Sequence, residues 1–337
     1  MSQPKLQSAI VLGTGMSVPE RILSNADLEK LVDTNDEWIV SRTGISERRM
    51  CGPDDYSSTL GIAAAKQALE NSGITADQVD LIICSTTTPD YPWPSTACQI
   101  QHGIGATHAA AFDLSAACSG YTYSVAVAAG LIEGGAMKYI LVIGADTLTK
   151  QINWEDRGTC ILFGDGAGAT LFGPGKPDEG VLSSHLGSEG AGFYQIWVGA
   201  GGLREPVVGP PPKDRPWYIQ MAGAEVYKFA VKIMGEAALT ALEKAEMSAA
   251  DVSLFIPHQA NIRIINAAAE RMHLPDDKVF VNVQKYGNTS GASIPMALHE
   301  AVISGRVIAG DVLVFVGFGA GLTWGANVIR WRTESHA

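Results

Sequence analysis

Basic residues are scarce in this chain: 24 lysines and arginines stand against 35 aspartates and glutamates, a formal net charge of −11. The shortage excludes nucleic acid as a general partner, because a phosphate backbone demands a basic surface, and an acidic partner would need a local positive patch. Cysteine is also sparse. The five present (51, 84, 98, 118 and 160) form no CxxC pair and have no histidine at metal-ligand spacing. Neither a disulfide frame nor a zinc site is indicated, and the chain reads as cytosolic and reduced. Long apolar runs are lacking too. The charge-free and histidine-free stretch Leu114 to Ile132 approaches a membrane span in length, but its Ser, Thr, Tyr and Gly mark it as a core helix. The opening Met1-Ser-Gln-Pro-Lys-Leu-Gln7 has neither the charged nor the apolar region of a signal peptide, so no export is expected.

What is present is material to bury: 46% of the 337 residues are hydrophobic, enough to fill two cores. Strand-like runs at Ala9 to Gly15, Val79 to Cys84 and Val252 to Ile256 alternate with helical segments such as Thr59 to Ser72. Their continuous Val, Ile and Leu content is that of sheets covered on both faces. Asn25 to Arg49 carries helical spacing, with Trp38 and Arg42 four apart on one face. Pro89 to Pro94, with three prolines in six residues, is a loop, and Trp93 at its tip is a packing anchor or a pocket wall. Gly173 to Tyr218, rich in glycine and proline and including Pro210-Pro-Pro212, is expected to hold the linking and pocket-covering loops.

The second half repeats the first. An offset of 173 residues lays Ala68-Leu-Glu70 on Ala241-Leu-Glu243, Asp77 to Ile83 on Ala250 to Ile256, and Ile140 to Gly144 on Leu313 to Gly317. Two helix-strand units in one register indicate two similar α/β halves, 1–175 and 176–337. Helices shared between two sheets would be apolar all round, and the stretch after Cys118 is of that kind.

In Phe112-Asp-Leu-Ser-Ala-Ala-Cys118-Ser-Gly120 the cysteine falls where a strand turns into that buried helix. Unpartnered backbone N–H groups and the macrodipole at a helix start favour a thiolate and can hold an oxyanion. The plainer alternative is a buried small residue, the commoner fate of an isolated intracellular cysteine. In the second half His258 follows the strand ending at Ile256 and falls opposite Ser85 by the repeat, at the carboxyl edge where α/β sheets collect ligands. The run Val279 to Val283 reads as a strand leading into Lys285-Tyr-Gly-Asn288-Thr-Ser-Gly, the counterpart of the Cys118 turn, so Asn288 and Cys118 should approach each other. A third turn, Gly317-Phe-Gly-Ala320-Gly, is small enough to approach an acyl group and point an N–H at its oxygen. Alone, such a histidine is more often structural and such an asparagine a turn former. Both gain weight because the repeat sends them to one edge. The other histidines (102, 108, 185, 273, 299, 336) are assigned to structure or solvent, and Cys51, Cys84, Cys98 and Cys160 to packing.

These residues, with Asp36-Glu-Trp-Ile-Val-Ser-Arg-Thr-Gly44, Pro94-Ser-Thr-Ala-Cys-Gln-Ile-Gln101, Phe163-Gly-Asp-Gly-Ala-Gly168, His258-Gln-Ala-Asn261 and Phe318-Gly-Ala-Gly-Leu-Thr-Trp324, make a chain that resembles β-ketoacyl-acyl-carrier-protein synthase III of the thiolase superfamily over nearly its whole length. The resemblance implies duplicated α/β halves in a five-layered α-β-α-β-α arrangement. It implies an acyltransferase that joins a short acyl-CoA primer to malonyl-acyl carrier protein by decarboxylative condensation, starting fatty-acid synthesis. Cys118, His258 and Asn288 would be catalytic, and the N–H groups of Cys118 and Ala320 would form an oxyanion hole. No metal or organic cofactor is implied, since departing CO₂ supplies the carbanion.

By the same resemblance Thr34, Trp38, Arg42, Arg157 and Asn261 would bind coenzyme A, with Trp38 and Arg157 sandwiching the adenine. Trp93, Phe163, Met221 and Phe318 would shape the acyl pocket, Trp93 reaching it across a homodimer interface, where a large ring suits a short primer. Lys228, Arg263 and Arg271 would form a basic rim for the acyl carrier protein. The chain departs from the family pattern at Ala320 (for glycine), Ala224 (for a pantetheine-holding asparagine) and Glu270 (for a basic rim residue). Rival readings are a condensing relative serving a secondary metabolite, a chalcone-synthase-like extender, and a non-catalytic acyl-CoA binder. A degradative thiolase is disfavoured because the last turn lacks that family's second cysteine. A papain-type hydrolase would lack the duplicated halves.

Overall fold

A computed structural model of the protein describes residues 7–206 and 217–332. In chain order its main strands are β1 Ser8–Ser17, β2 Leu81–Ser85, β3 Ala110–Leu114, β4 Ile140–Thr147, β5 Asp165–Gly175, β6 Gly180–Ser188, β7 Ile196–Val198, β8 Ile219–Met221, β9 Leu254–Pro257, β10 Val312–Gly319 and β11 Thr323–Arg330. Its main helices are α1 Asp36–Thr43, α2 Ser57–Ser72, α3 Thr96–Ile104, α4 Gly120–Glu133, α5 Gly223–Lys244, α6 Ile262–Arg271 and α7 Ser293–Ile303.

Two sheets share one topology. The first runs β1-β5-β4-β2-β3 and the second β6-β11-β10-β9, so each strand of the second takes the place of its counterpart in the first. In both, one pair at the heart is parallel (β2 with β4, β9 with β10) and the next is antiparallel (β4 with β5, β10 with β11). The 173-residue offset extends to the short 3₁₀ turns Ala117–Ser119 and Ser290–Ala292. Even their strained backbone is repeated, with Ala117 at φ 47° and Ser290 at φ 50°.

Helices α2 and α3 cover the outer face of the first sheet, α5 and α6 that of the second, and α4 and α7 lie between the sheets. That makes five layers. Three apolar clusters correspond to the contacts between them. In the middle one, Ile83 and Val142 of the first sheet and Ile256 and Phe315 of the second close on Tyr121 and Val125 of α4 and Leu298 of α7. Burying each such side chain contributes roughly 1.5–3 kcal/mol, and α4 accordingly carries no charge before Glu133, its last residue. Its two tyrosine hydroxyls are both satisfied, Tyr121 by Thr170 Oγ1 at 2.7 Å and Tyr123 by Gly187 O at 2.8 Å.

Several local expectations are corrected. Asn25 to Arg49 is not one helical stretch: a single turn Asn25–Leu28, α1 and a strand Glu47–Arg49 divide it. Asn35 caps α1 at its start, accepting from Trp38 N–H, and Gly44 ends it in the left-handed region. Within Gly173 to Tyr218 lie two strands of structure, β6 and β7, while Pro210-Pro-Pro212 falls outside the described residues, as does His336. Val279 to Val283 makes a single bridge, Phe255 to Val279, in place of a strand. The reason is Gln259. Its Oε1 accepts the N–H groups of Asn282 and Val283 at 2.9 and 3.1 Å, and its Nε2 donates to Pro257 and Phe280 carbonyls, so a side chain replaces the ladder. Cys98 is exposed rather than packed, whereas Cys51, Cys84 and Cys160 are buried.

Candidate active site

Three turns from the two halves converge on Cys118. The cysteine is the middle residue of the Ala117–Ser119 turn, immediately ahead of α4. His258 follows β9, its backbone N–H held by Val316 O of the neighbouring strand at 2.7 Å, and its ring stands edge-on to Phe318 at 5.8 Å. Asn288 is clamped at both ends of its backbone: its N–H donates to Leu162 O at 2.8 Å and its carbonyl accepts from Gly164 N–H at 3.0 Å. Its side-chain Oδ1 accepts from Ser290 N–H at 2.8 Å, which settles the orientation of the amide. At the end of β10, a Cβ on Gly319 would meet Cys118 N at 2.6 Å, so only glycine lets the Ala320 turn come this close.

Cys118, His258 and Asn288 line one cavity of about 120 Å³, together with Phe163, Met221, Phe318 and Asn261. Cys118 also faces a second, apolar cavity of about 170 Å³ walled by Leu148, Phe163, Ile196, Trp197 and Ile219, with Ala320 and Ser290 beside the sulfur. The β7–β8 pair covers this cavity, in keeping with the expectation of a covering segment.

The electrostatics differ from the expected thiolate. Burial pushes the Cys118 thiol up to about 12, with the hydroxyl of Ser290 pulling it down less and the charge of Asp146 adding to the rise. Desolvation of the sulfur outweighs the helix start. Burial alone takes His258 down to about 3, so its imidazole is neutral. Its Nδ1 is buried with no hydrogen-bond partner among the described residues.

Sequence reasoning missed Asp146. This fully buried carboxylate takes Thr87 N–H and Oγ1, at 2.7 and 2.8 Å, on Oδ1 and Gly291 N–H, at 2.9 Å, on Oδ2. One side chain thereby ties β4 to the loop that lines the apolar cavity and to the turn behind Asn288. The signal was available: a lone acid closing the apolar run Ile140 to Ala145. Trp197, Ile196 and Gln151 were also missed, and nothing in their spacing singles them out.

The outer residues are arranged less simply. Arg157 lies over the Trp38 ring at 4.8 Å and Arg42 at 4.9 Å, and Arg157 also donates to Asp33 O at 2.8 Å. An adenine between Trp38 and Arg157 needs two stacking distances, about 7 Å, so the slot is closed here. Asn261 caps α6, accepting from Arg263 N–H at 2.8 Å, and its Nδ2 donates to Arg42 O at 3.0 Å. Thr34 Oγ1 is buried without a partner among the described residues. On the expected rim, Lys228 is exposed, Arg263 donates twice to Ser41 O, and Arg271 pairs with Glu236 at 2.9 Å. Trp93 is 84% exposed and lines neither cavity, so within its own chain it is neither anchor nor wall.

Residues 112–190 match the family model described as 3-oxoacyl-[acyl-carrier-protein] synthase III, and residues 242–331 match that of its C-terminal part. The β-ketoacyl-[acyl-carrier-protein] synthase III of Symbiobacterium thermophilum is 50% identical over 97% of this chain and 99% of its own length. The chain belongs to the β-ketoacyl-acyl-carrier-protein synthase III family. That membership makes it an acyltransferase of the condensing class, with the thiolase fold. A second synthase III, from Desulfitobacterium hafniense, is 52% identical over 95% of this chain and 97% of its own. The crystal structure of the synthase III from Aquifex aeolicus superposes with a TM-score of 0.89 at 45% identity, covering 96% of this chain and all of that one.

Proposed function

We propose that this protein condenses a short acyl-CoA primer, acetyl-CoA first among them, with malonyl-acyl carrier protein through an acyl-Cys118 thioester. The observation that carries the reading is the cavity shared by Cys118, His258 and Asn288, backed by a separate apolar cavity against the same sulfur. Cys118 sulfur attacks the primer thioester carbonyl, its proton passes to the departing coenzyme A sulfur, and the acyl chain enters the apolar cavity. Malonyl thioester then takes the other cavity. Its bond to the carboxylate breaks, CO₂ leaves, and the electron pair becomes an enolate whose oxygen accepts from His258 Nε2–H and Asn288 Nδ2–H.

The protonation state suits this. An N–H at the unpartnered Nδ1 would be an orphan donor, so the tautomer with its proton on Nε2 is the cheaper one. A neutral imidazole donates a hydrogen bond without being acidic enough to quench the carbanion. The carbanion attacks the acyl-Cys118 carbonyl, the oxyanion rests on the N–H groups of Cys118 and Ala320, and collapse expels the Cys118 sulfur as a thiolate, which takes a proton from water to restore the thiol. No step calls on a resident metal or organic cofactor.

The same reading includes the division into halves 1–175 and 176–337, action in the cytoplasm, the coenzyme A and carrier-protein residues named above, and a homodimer. Among the described residues no helix is long and apolar enough to cross a membrane. Coenzyme A would draw Arg157 off Trp38. The homodimer is supported by β3, an edge strand paired on one side only, with Phe112 exposed and its neighbour Asp113 accepting from Thr96 N–H at 2.7 Å, where the loop carrying exposed Tyr91 and Trp93 enters α3.

Intact-mass spectrometry after acetyl-CoA treatment should show one acetyl group on the wild type and none on Cys118→Ser. His258→Ala and Asn288→Ala should still acylate while losing malonyl decarboxylation at least a hundredfold. Equal loss of both half-reactions in Asn288→Ala, or condensation with malonyl-CoA alone, would overturn the assignment.

A further inference from the structure

The two N–H groups ascribed to the oxyanion hole sit on turns from opposite halves of the chain, about two hundred residues apart in sequence, and nothing covalent sets their spacing. Close packing limits how near they come, because even a Cβ on Gly319 would overlap Cys118 N. A separate device keeps them from parting. Thr323, the first residue of β11, has its Oγ1 within 3.0 Å of Ala116 O, in the Cys118 turn, and within 2.9 Å of Ala320 O, in the other turn. Ser119 Oγ, fully buried, lies 2.7 Å from Ala116 O and 2.9 Å from Thr323 Oγ1. With Ser119 O–H donating to Thr323 Oγ1 and Thr323 O–H to Ala320 O, one continuous chain runs from the Cys118 turn to the Ala320 turn, while Ala116 O keeps Ser119 N–H at 3.2 Å.

We propose that Thr323, seconded by Ser119, is a positioning residue that sets the separation of the Cys118 and Ala320 N–H groups. The proposal rests on the reading that these groups receive the thioester oxygen. Donors to an oxyanion act at 2.7–3.1 Å, and a misplacement of about 1 Å costs about a hundredfold in rate. Neither Ser119 nor Thr323 lines either cavity, so the effect falls on turnover and spares primer binding.

The test compares Thr323→Val, which keeps shape and removes the hydroxyl, with Thr323→Ser, which keeps the hydroxyl, in the full-length protein. Active sites are counted by acetyl-Cys118 adduct mass, and the carbonyl stretch of that adduct is read by isotope-edited infrared spectroscopy with ¹³C-acetyl-CoA. Thr323→Val should lower kcat per acylatable site about tenfold or more, leave KM for acetyl-CoA within about twofold, and raise the carbonyl frequency. Thr323→Ser should return both to near wild type. Should Thr323→Val not fold, Ser119→Ala carries the same comparison, with a smaller shift in the same direction. An unmoved carbonyl band with wild-type kcat per site, whatever the change in stability, would overturn the proposal while leaving the parent reading intact. Absence of any acetyl adduct on the wild type would overturn the parent reading, and the proposal with it.

Discussion

Cys118 and His258 are driven apart in acidity by one cause, since burial penalises the thiolate and the imidazolium alike. With the thiol near 12 and the imidazole near 3, a resting ion pair is disfavoured and both groups are neutral. The sign follows directly: below its pKa the thiolate fraction grows tenfold per pH unit. Alkylation of the free enzyme by iodoacetamide at Cys118, followed by peptide mass spectrometry, should therefore keep accelerating past pH 10. A plateau near pH 8 would show the turn stabilising the thiolate after all. Nothing local in Ala117-Cys-Ser119 reveals this, because the surrounding protein that desolvates the sulfur comes from both halves.

Strands and turns are where the halves are fastened. Gly144 of β4 presses so closely on the Ser290–Ala292 turn that a Cβ there would overlap Gly291 O. Gly144→Ala should thus push the turn, and Asn288 with it, costing about 2–3 kcal/mol in urea unfolding and at least tenfold in condensation. Gly130, exposed on α4 with open space around its Cα, is the contrast: Gly130→Ala should stabilise by up to about 1 kcal/mol and leave activity alone. If both behaved alike, contact between β4 and the turn would not be what matters. At this scale α4 and the end of α2 at Gly73 were legible in sequence, because charge-free runs and helix stops are local. The missing strand at Val279 to Val283 was not, because the competitor for its N–H groups is the side chain of Gln259, on a different segment.

At the scale of the molecule, an edge strand is joined to the exit of an exposed aromatic loop, Thr96 N–H donating to Asp113 Oδ2 at 2.7 Å. β3 pairs only with β2, and Phe112, Tyr91 and Trp93 are 39%, 58% and 84% exposed, more apolar surface than an isolated chain leaves uncovered without reason. Sedimentation should give twice the 35.6 kDa of one chain, and Phe112→Asp should give the monomer. A monomeric wild type at micromolar concentration would remove the homodimer, and with it any part for Trp93 in the acyl pocket of a neighbour.

The sequence by itself determined that two α/β halves repeat at 173 residues and carry small-residue turns at matching positions, which was enough to single out Cys118, His258 and Asn288. Periodicity, register and turn composition are properties of neighbouring residues, so they survive without coordinates. Only the tertiary structure decided that the thiol rests protonated, that Arg157 lies on Trp38, that Asp146 ties the pocket loop to the Asn288 turn, and that Thr323 bridges the halves. Each of these depends on desolvation or on a distance of a few ångströms between segments far apart in the chain, and no local pattern encodes either.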